Sequence, residues 1–117
     1  MQLKAGENMK VLKTQFDDDF EDDGLYTITF WVDLNPPNYI SLARDNFDNP
    51  TMIYIELLDQ KYGYETKDIQ YSFNGNVLIF NLDRCFEFLD NKKVIEMEID
   101  ERDIQRIEKK LISIFHK

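Results

Sequence analysis

The chain is poor in the residues that most often carry chemistry or covalent bracing. It has one cysteine, one histidine, four glycines and three prolines in 117 residues. A lone Cys85 excludes an internal disulfide and fits a reducing compartment, so the cytoplasm is expected. It sits in an apolar neighbourhood and reads as a small core residue. Nucleophilic catalysis needs a positioned base, and the one histidine, His116, is the penultimate residue, where chain ends fray. Zinc sites of cysteine and histidine fail on count. Four scattered glycines form no phosphate-cradling loop. No apolar run approaches the roughly 20 residues of a membrane span, and the opening MQLKAGENMK contains no signal-peptide stretch. The expectation is therefore a non-enzyme with no catalytic residue, no cofactor, no metal site and no membrane partner. Residues 1–8 read as a poorly ordered lead, with Met9 as an alternative start.

Positive charge is also scarce. Fourteen Lys and Arg stand against 23 Asp and Glu, for a net charge of −9. Six of the carboxylates lie in one run: Asp17, Asp18, Asp19, Glu21, Asp22 and Asp23, interrupted only by Phe20. An acidic balance disfavours nucleic acid and anionic lipid, which call for Lys and Arg clusters. It favours cations or a basic macromolecule. The run repels itself and cannot be buried cheaply. Starting at Asp19, "DFEDDG" satisfies positions one, three, five and six of a calcium-binding EF-hand loop, but position twelve is Phe30 where a bidentate Glu is required. Paired-carboxylate catalysis needs two differently tuned groups held in a cleft. Two readings of the run stay open: a solvated loop that aids solubility, or an electrostatic lure for a basic partner.

Hydrophobic residues make up 43% and aromatics 14% of the chain, which suffices for a core in one domain spanning 1–117. The dominant pattern is alternation. Ile69, Tyr71 and Phe73 alternate with polar residues, Asn74-Gly75 follows, and Val77–Leu82 comes next, predicting a hairpin centred on Asn-Gly in a type I′ turn. Residues 25–34, 38–43, 51–58 and 93–99 read as further strands, and 10–16 as a weaker one. The intervening stretches 35–38 and 45–50 have turn compositions. The period then changes: Asp100 is an N-cap candidate, and Ile104, Ile107, Leu111 and Ile114 recur at helical spacing. A short helical turn is expected around 84–91. The predicted fold class is α+β, a single mostly antiparallel sheet of six or seven strands with a C-terminal helix packed on one face.

A polar-aromatic cluster follows at "YIELLDQKYGYETKD" (54–68). Tyr54 and Glu56 should share one strand face, opposite Ile53, Ile55 and Leu57. Asp59, Gln60, Tyr62 and Tyr64 are expected in the following turn, with Gly63 as its pivot. Either the tyrosines lie over the edge of the core, or they form a recognition surface of the kind protein interfaces favour.

From Asn38 to Leu82 the sequence resembles the bacterial immunity protein 10 family, antidotes to polymorphic secreted toxins. The resemblance lies in Leu42 and Arg44 ending a strand, an acidic loop, then Tyr54, Glu56, Asp59 and Gln60. A Gly-Tyr turn (Gly63, Tyr64), the hairpin and a terminal helix after "IEMEID" complete it. The acidic run at 17–23 lies outside that pattern. The resemblance implies an intracellular, non-enzymatic protein that binds a cognate toxin domain and blocks it. Asp17, Asp18, Asp19, Glu21, Asp22 and Asp23 would then steer encounter, and Tyr54, Glu56, Asp59, Gln60, Tyr62 and Tyr64 would make contact. The alternative is a non-catalytic interaction or regulatory module with an unrelated partner. It would be a monomer or a homodimer joined through an open sheet edge.

Overall fold

The computed structural model describes residues 9–32, 38–89 and 91–116, and leaves aside the side chains of Asp59, Gln60 and Phe88. The expected lead at 1–8, the turn residues Asn35, Pro36 and Pro37, and Lys117 lie outside the described residues. Among the described residues eight strands are present: β1 (Met9–Gln15), β2 (Leu25–Val32), β3 (Asn38–Asp45), β4 (Asn49–Leu57), β5 (Asp59–Thr66), β6 (Gln70–Asn74), β7 (Val77–Phe86) and β8 (Lys92–Glu98). Three 3₁₀ turns, Asp18–Asp23, Glu87–Leu89 and Glu101–Asp103, and one helix, α1 (Ile104–Phe115), complete the order.

The α+β class and the mostly antiparallel sheet are as expected, but the sheet has eight strands rather than six or seven. The additional strand is β5, whose residues had the look of a turn. Tyr62, Tyr64 and Thr66 alternate with Lys61, Gly63 and Glu65, and Ile55 pairs with Tyr64 across the ladder. The turn that separates β4 from β5 falls instead at Leu58, a leucine at φ +69°, whose N–H donates to the Tyr39 carbonyl at 2.7 Å.

The strand order is β5-β4-β3-β2-β1-β8-β7-β6. All neighbours are antiparallel except β1 and β8, which pair in parallel at Met9↔Met97 and Lys10↔Glu98. Two meanders are thus joined along one short parallel seam. β5 and β6 stand at opposite ends of this order, yet residues 67–69 alone connect them. Four peptide steps reach at most about 14 Å, whereas eight strands laid flat span roughly 34 Å. The sheet must therefore curl until its two edges approach.

Curling places one face inside. Ile28, Phe30, Val32, Ile40, Leu42, Ile55 and Leu57 from the first meander and Leu78, Phe80, Ile95 and Met97 from the second are all buried. Phe30 and Phe80 meet across the fold at 6.2 Å between ring centroids. α1 lies on this inner side, burying Ile107, Leu111 and Ile114. Its Phe115 stacks on Phe80 and packs edge-on to Tyr71. Burying each such aliphatic chain contributes about 1.5–3 kcal/mol. Asp100 caps as expected, its side chain accepting from Arg102 N–H, but it caps the Glu101–Asp103 turn that leads into α1.

Three further expectations are corrected. The hairpin is present, but Asn74 pairs with Val77, so its centre is Gly75-Asn76. Gly75 has φ +61° and Asn76 does not share the positive sign, which matches the glycine-first type II′ turn rather than type I′. Cys85 is exposed rather than part of the core. Strand parity explains this: Cys85 falls in step with the exposed Asn81, not with the buried Leu78, Phe80 and Leu82. The helical turn expected at 84–91 is confined to Glu87–Leu89, because Arg84–Phe86 continue β7.

Candidate functional site

The acidic run forms the 3₁₀ turn between β1 and β2. Such a turn has three residues per revolution, so positions i and i+3 align on one side. Asp18 and Glu21 share the side that faces α1, where Arg106 and Lys110 sit one helical turn apart. Lys110 Nζ lies 2.6 Å from Asp18 Oδ1 and also engages Glu21, and it donates to the Phe16 carbonyl at 2.8 Å. Arg106 donates to Asp18 at 2.8 Å, and its guanidinium lies 3.9 Å from the centre of the Phe16 ring. Hydrogen bonds from Lys110 and Arg106 pull the Asp18 carboxyl from its ordinary 3.8 down to about 2. Lys110 is only 5% exposed. Two of the six carboxylates thus dock the helix.

The other four do not face α1. Asp17, itself left-handed at φ +48°, accepts from Gln15 Nε2 with both oxygens at 3.0 Å. Asp19, Asp22 and Asp23 are exposed, and their side chains make no hydrogen bond or ion pair among the described residues. Only these three are wholly available to a partner.

The opposite end of α1 is held from the sheet. Arg44, 7% exposed, donates to the carbonyls of Ile114 and Pro50. Burial lowers its pKa, while its position at the carbonyl end of a helix suits a cation.

The tyrosine set divides between two sides of the sheet. Tyr62 and Tyr64 face inward and pack on Phe86 of β7. The Tyr64 hydroxyl donates to Asp83 at 2.9 Å and Thr66 to the same carboxylate at 2.7 Å. Arg84 lies 3.8 Å over the Tyr64 ring. Burial, reinforced by Asp83, pushes the Tyr64 hydroxyl far above its ordinary pKa. These residues clasp β5 to β7 across the gap between the sheet edges. Asp59 and Gln60 begin β5, and their side chains lie outside the described residues.

Tyr54 and Glu56 do share the outer face, opposite the buried Ile53, Ile55 and Leu57. There they join residues the sequence reading passed over. Trp31 and Tyr39 are cross-strand partners on β2 and β3, their rings 5.6 Å apart and inclined at 52°. The Tyr39 hydroxyl donates to one Glu56 oxygen at 2.5 Å and the Tyr54 hydroxyl to the other at 2.6 Å. The Trp31 indole N–H donates to Gln15 Oε1 at 3.2 Å, and Gln15 in turn holds Asp17. One hydrogen-bonded and stacked chain therefore runs Asp17–Gln15–Trp31–Tyr39–Glu56–Tyr54 across four adjacent strands. Thr29 and Ser41, bonded to each other at 3.1 Å, floor it with small side chains. Glu56 raises the Tyr54 hydroxyl to about 12, chiefly through their hydrogen bond. Trp31 and Tyr54 remain 37% and 38% exposed. Strand parity could have found the missing members: Ile28, Phe30 and Val32 point inward, so the tryptophan between Phe30 and Val32 points out.

No family model, curated protein or solved structure matches the chain. Among the described residues no helix is long and apolar enough to cross a membrane.

Proposed function

We propose that this protein is an immunity protein of the kind its sequence resembles, one that binds a cognate toxin domain and neutralises it without catalysis. The observation that carries the reading is the outer-face network. On the sheet face away from α1, one glutamate holds two tyrosines, and Gln15 holds the tryptophan packed beside them. Rigid aromatics with ordered polar partners are the anchors that protein interfaces use. Asp19, Asp22 and Asp23 lie beyond Asp17 at one end of the network and would speed encounter with a basic toxin domain. Inhibition is by covering the toxin's active site or substrate path.

The test is co-expression with the toxin domain encoded by a neighbouring gene. Growth should be rescued by the intact chain, and purified toxin should be inhibited at equimolar ratio. Persistent growth arrest with soluble chain present would refute the reading. A regulatory module joined through a sheet edge is the second reading, supported by β6 having a strand partner on one side only. A dimeric mass in solution, abolished by Phe73→Pro, whose N–H faces the open edge rather than β7, would favour it.

A further inference from the structure

Within the outer-face network every side-chain donor is directed into the network itself. The indole N–H of Trp31 goes to Gln15, Gln15 Nε2 goes to Asp17, and the hydroxyls of Tyr39 and Tyr54 go to Glu56. What faces outward is the complement: acceptor lone pairs, negative charge and aromatic rings. An ionised carboxylate offers about four lone-pair positions. The two hydroxyls take one on each Glu56 oxygen, leaving one on each for a donor from outside. The two hydroxyls are the only partners of Glu56 among the described residues. Lys13, in register with Trp31, makes no ion pair or ring contact there.

The same chemistry is neutralised internally at two other places. Arg106 lies over Phe16 while bonding Asp18. Arg84 lies over Tyr64, whose hydroxyl bonds Asp83, and its Nε is 4.0 Å from that carboxylate. In both cases an arginine covers an aromatic ring beside a carboxylate. The group of Trp31, Tyr39, Tyr54 and Glu56 has the ring and the carboxylate, and no arginine of the described chain reaches it.

A planar guanidinium meets both demands at once. It presents paired N–H groups to two carboxylate oxygens and stacks on an indole or phenol ring. An ammonium meets the charge but neither the fork nor the stacking geometry. A partner carboxylate or phosphate would find no donor among these four side chains, only the Lys13 ammonium beside Trp31, and would face Glu56. We infer that Glu56, with Trp31, Tyr39 and Tyr54, is the seat for an arginine side chain of the partner protein. This rests on reading the chain as a protein-binding immunity protein, and specifies what that partner must present.

Trp31 is the only tryptophan, so one indole reports on the seat. The probes are N-acetyl-arginine methylamide and N-acetyl-lysine methylamide, titrated into the isotope-labelled chain at matched ionic strength. The arginine compound should shift the Trp31 indole N–H resonance and quench its fluorescence, and bind at least about fivefold more tightly than the lysine compound. Glu56→Gln should weaken arginine binding by about tenfold. Ser113→Ala, on α1 and outside the network, should retain binding, and an unchanged thermal melt of Glu56→Gln shows that its loss is not general misfolding. Equal responses to the two compounds, or shifts confined to Asp19, Asp22 and Asp23 with Trp31 silent, overturn the inference. The toxin assay separates the two levels. Full inhibition by Glu56→Gln and Trp31→Leu removes the arginine seat and leaves the immunity reading standing. Arginine binding at Trp31 by a chain that inhibits no toxin does the reverse.

Discussion

Lys110→Met tests whether the acidic run docks the helix. Lysine has three ammonium hydrogens, and three acceptors surround this one: the Phe16 carbonyl, Asp18 and Glu21. Methionine keeps most of the buried stem and removes the charge. Breaking a buried pair from one side typically costs about 3–5 kcal/mol, because the abandoned charge stays buried. Here the abandoned carboxylates are accessible, with Asp18 and Glu21 side chains 48% and 34% exposed, and Arg106 still holds Asp18. Water can therefore take over part of what Lys110 supplied. The carbonyl of Phe16, a residue 8% exposed, is the acceptor left stranded, which costs about 1–3 kcal/mol. Together these set the expected loss at about 2–3 kcal/mol. For a chain of this size that lowers Tm by roughly 8–12 °C.

Urea unfolding followed by far-ultraviolet circular dichroism measures it, with an unchanged m-value as the sign that only stability moved. A loss below about 0.5 kcal/mol would refute the reasoning, since pair formation would then merely cancel desolvation. Adding Asp18→Asn and Glu21→Gln supplies the second arm. Once Lys110 is gone its two carboxylates have lost their main role, so the triple variant should fall short of the additive sum by at least about 1 kcal/mol. Strict additivity would show that these residues do not act as a unit.

Splitting the run by face should split its effects. Asp19→Asn, Asp22→Asn and Asp23→Asn together should leave Tm within about 2 °C, yet slow toxin association and flatten its salt dependence. Asp18→Asn with Glu21→Gln should do the opposite, and stopped-flow mixing beside a thermal melt reads both. Because the folded Asp18 carboxyl is held at about 2, its contribution is complete above about pH 4 and is lost as pH falls through 2. An acid titration of stability should therefore be flatter between those values in Asp18→Asn. Gly24 has φ +82°, and a Cβ there would come within 2.7–2.8 Å of the Phe47 ring. Phe47 is 70% exposed and can move, so Gly24→Ala should cost about 1–2 kcal/mol from the left-handed backbone itself. Phe47→Ala should not rescue it in a denaturant titration.

Much of the fold is legible because period-two alternation needs only local sequence. "KVIEMEI" places Ile95, Met97 and Ile99 inward, and all three are buried. β5 was obscured by Asp59 and Gly63, which favour turns, while the real reversal uses Leu58, a residue with no preference for positive φ. The fate of the acidic run could not be read locally: Asp18 and Arg106 are 88 positions apart, and Glu21 and Lys110 are 89. The helical stripe of Ile107, Leu111 and Ile114 was plain, but it gives no hint that Lys110 beside it is buried. Cys85 was misread because its neighbours in sequence are apolar, whereas strand parity sets it in step with the exposed Asn81. Tyr62 and Tyr64 were grouped with Tyr54 by proximity in sequence. A tight reversal at Leu58 places β5 alongside β4, and there parity sets Tyr64 beside the inward Ile55.

Asp83 and Glu56 show how one arrangement serves two ends. Each carboxylate accepts two hydroxyls, from Tyr64 and Thr66 in one case and Tyr39 and Tyr54 in the other. Around Asp83 the rings are packed on Phe86, Arg84 covers the tyrosine, and two distant strands are tied together, so the group closes the sheet. Around Glu56 the strands are already neighbours in a continuous ladder, so two part-exposed hydrogen bonds add only about 0.5–1.5 kcal/mol each. The fold does not need them. Yet they fix two tyrosine rings beside a tryptophan and leave a carboxylate without a cation. Ordering side chains costs rotamer entropy, and leaving aromatic area in water forgoes about 25 cal/mol per Å². Both losses are recovered if a cationic, planar group from another protein completes at Glu56 what Arg84 completes at Asp83.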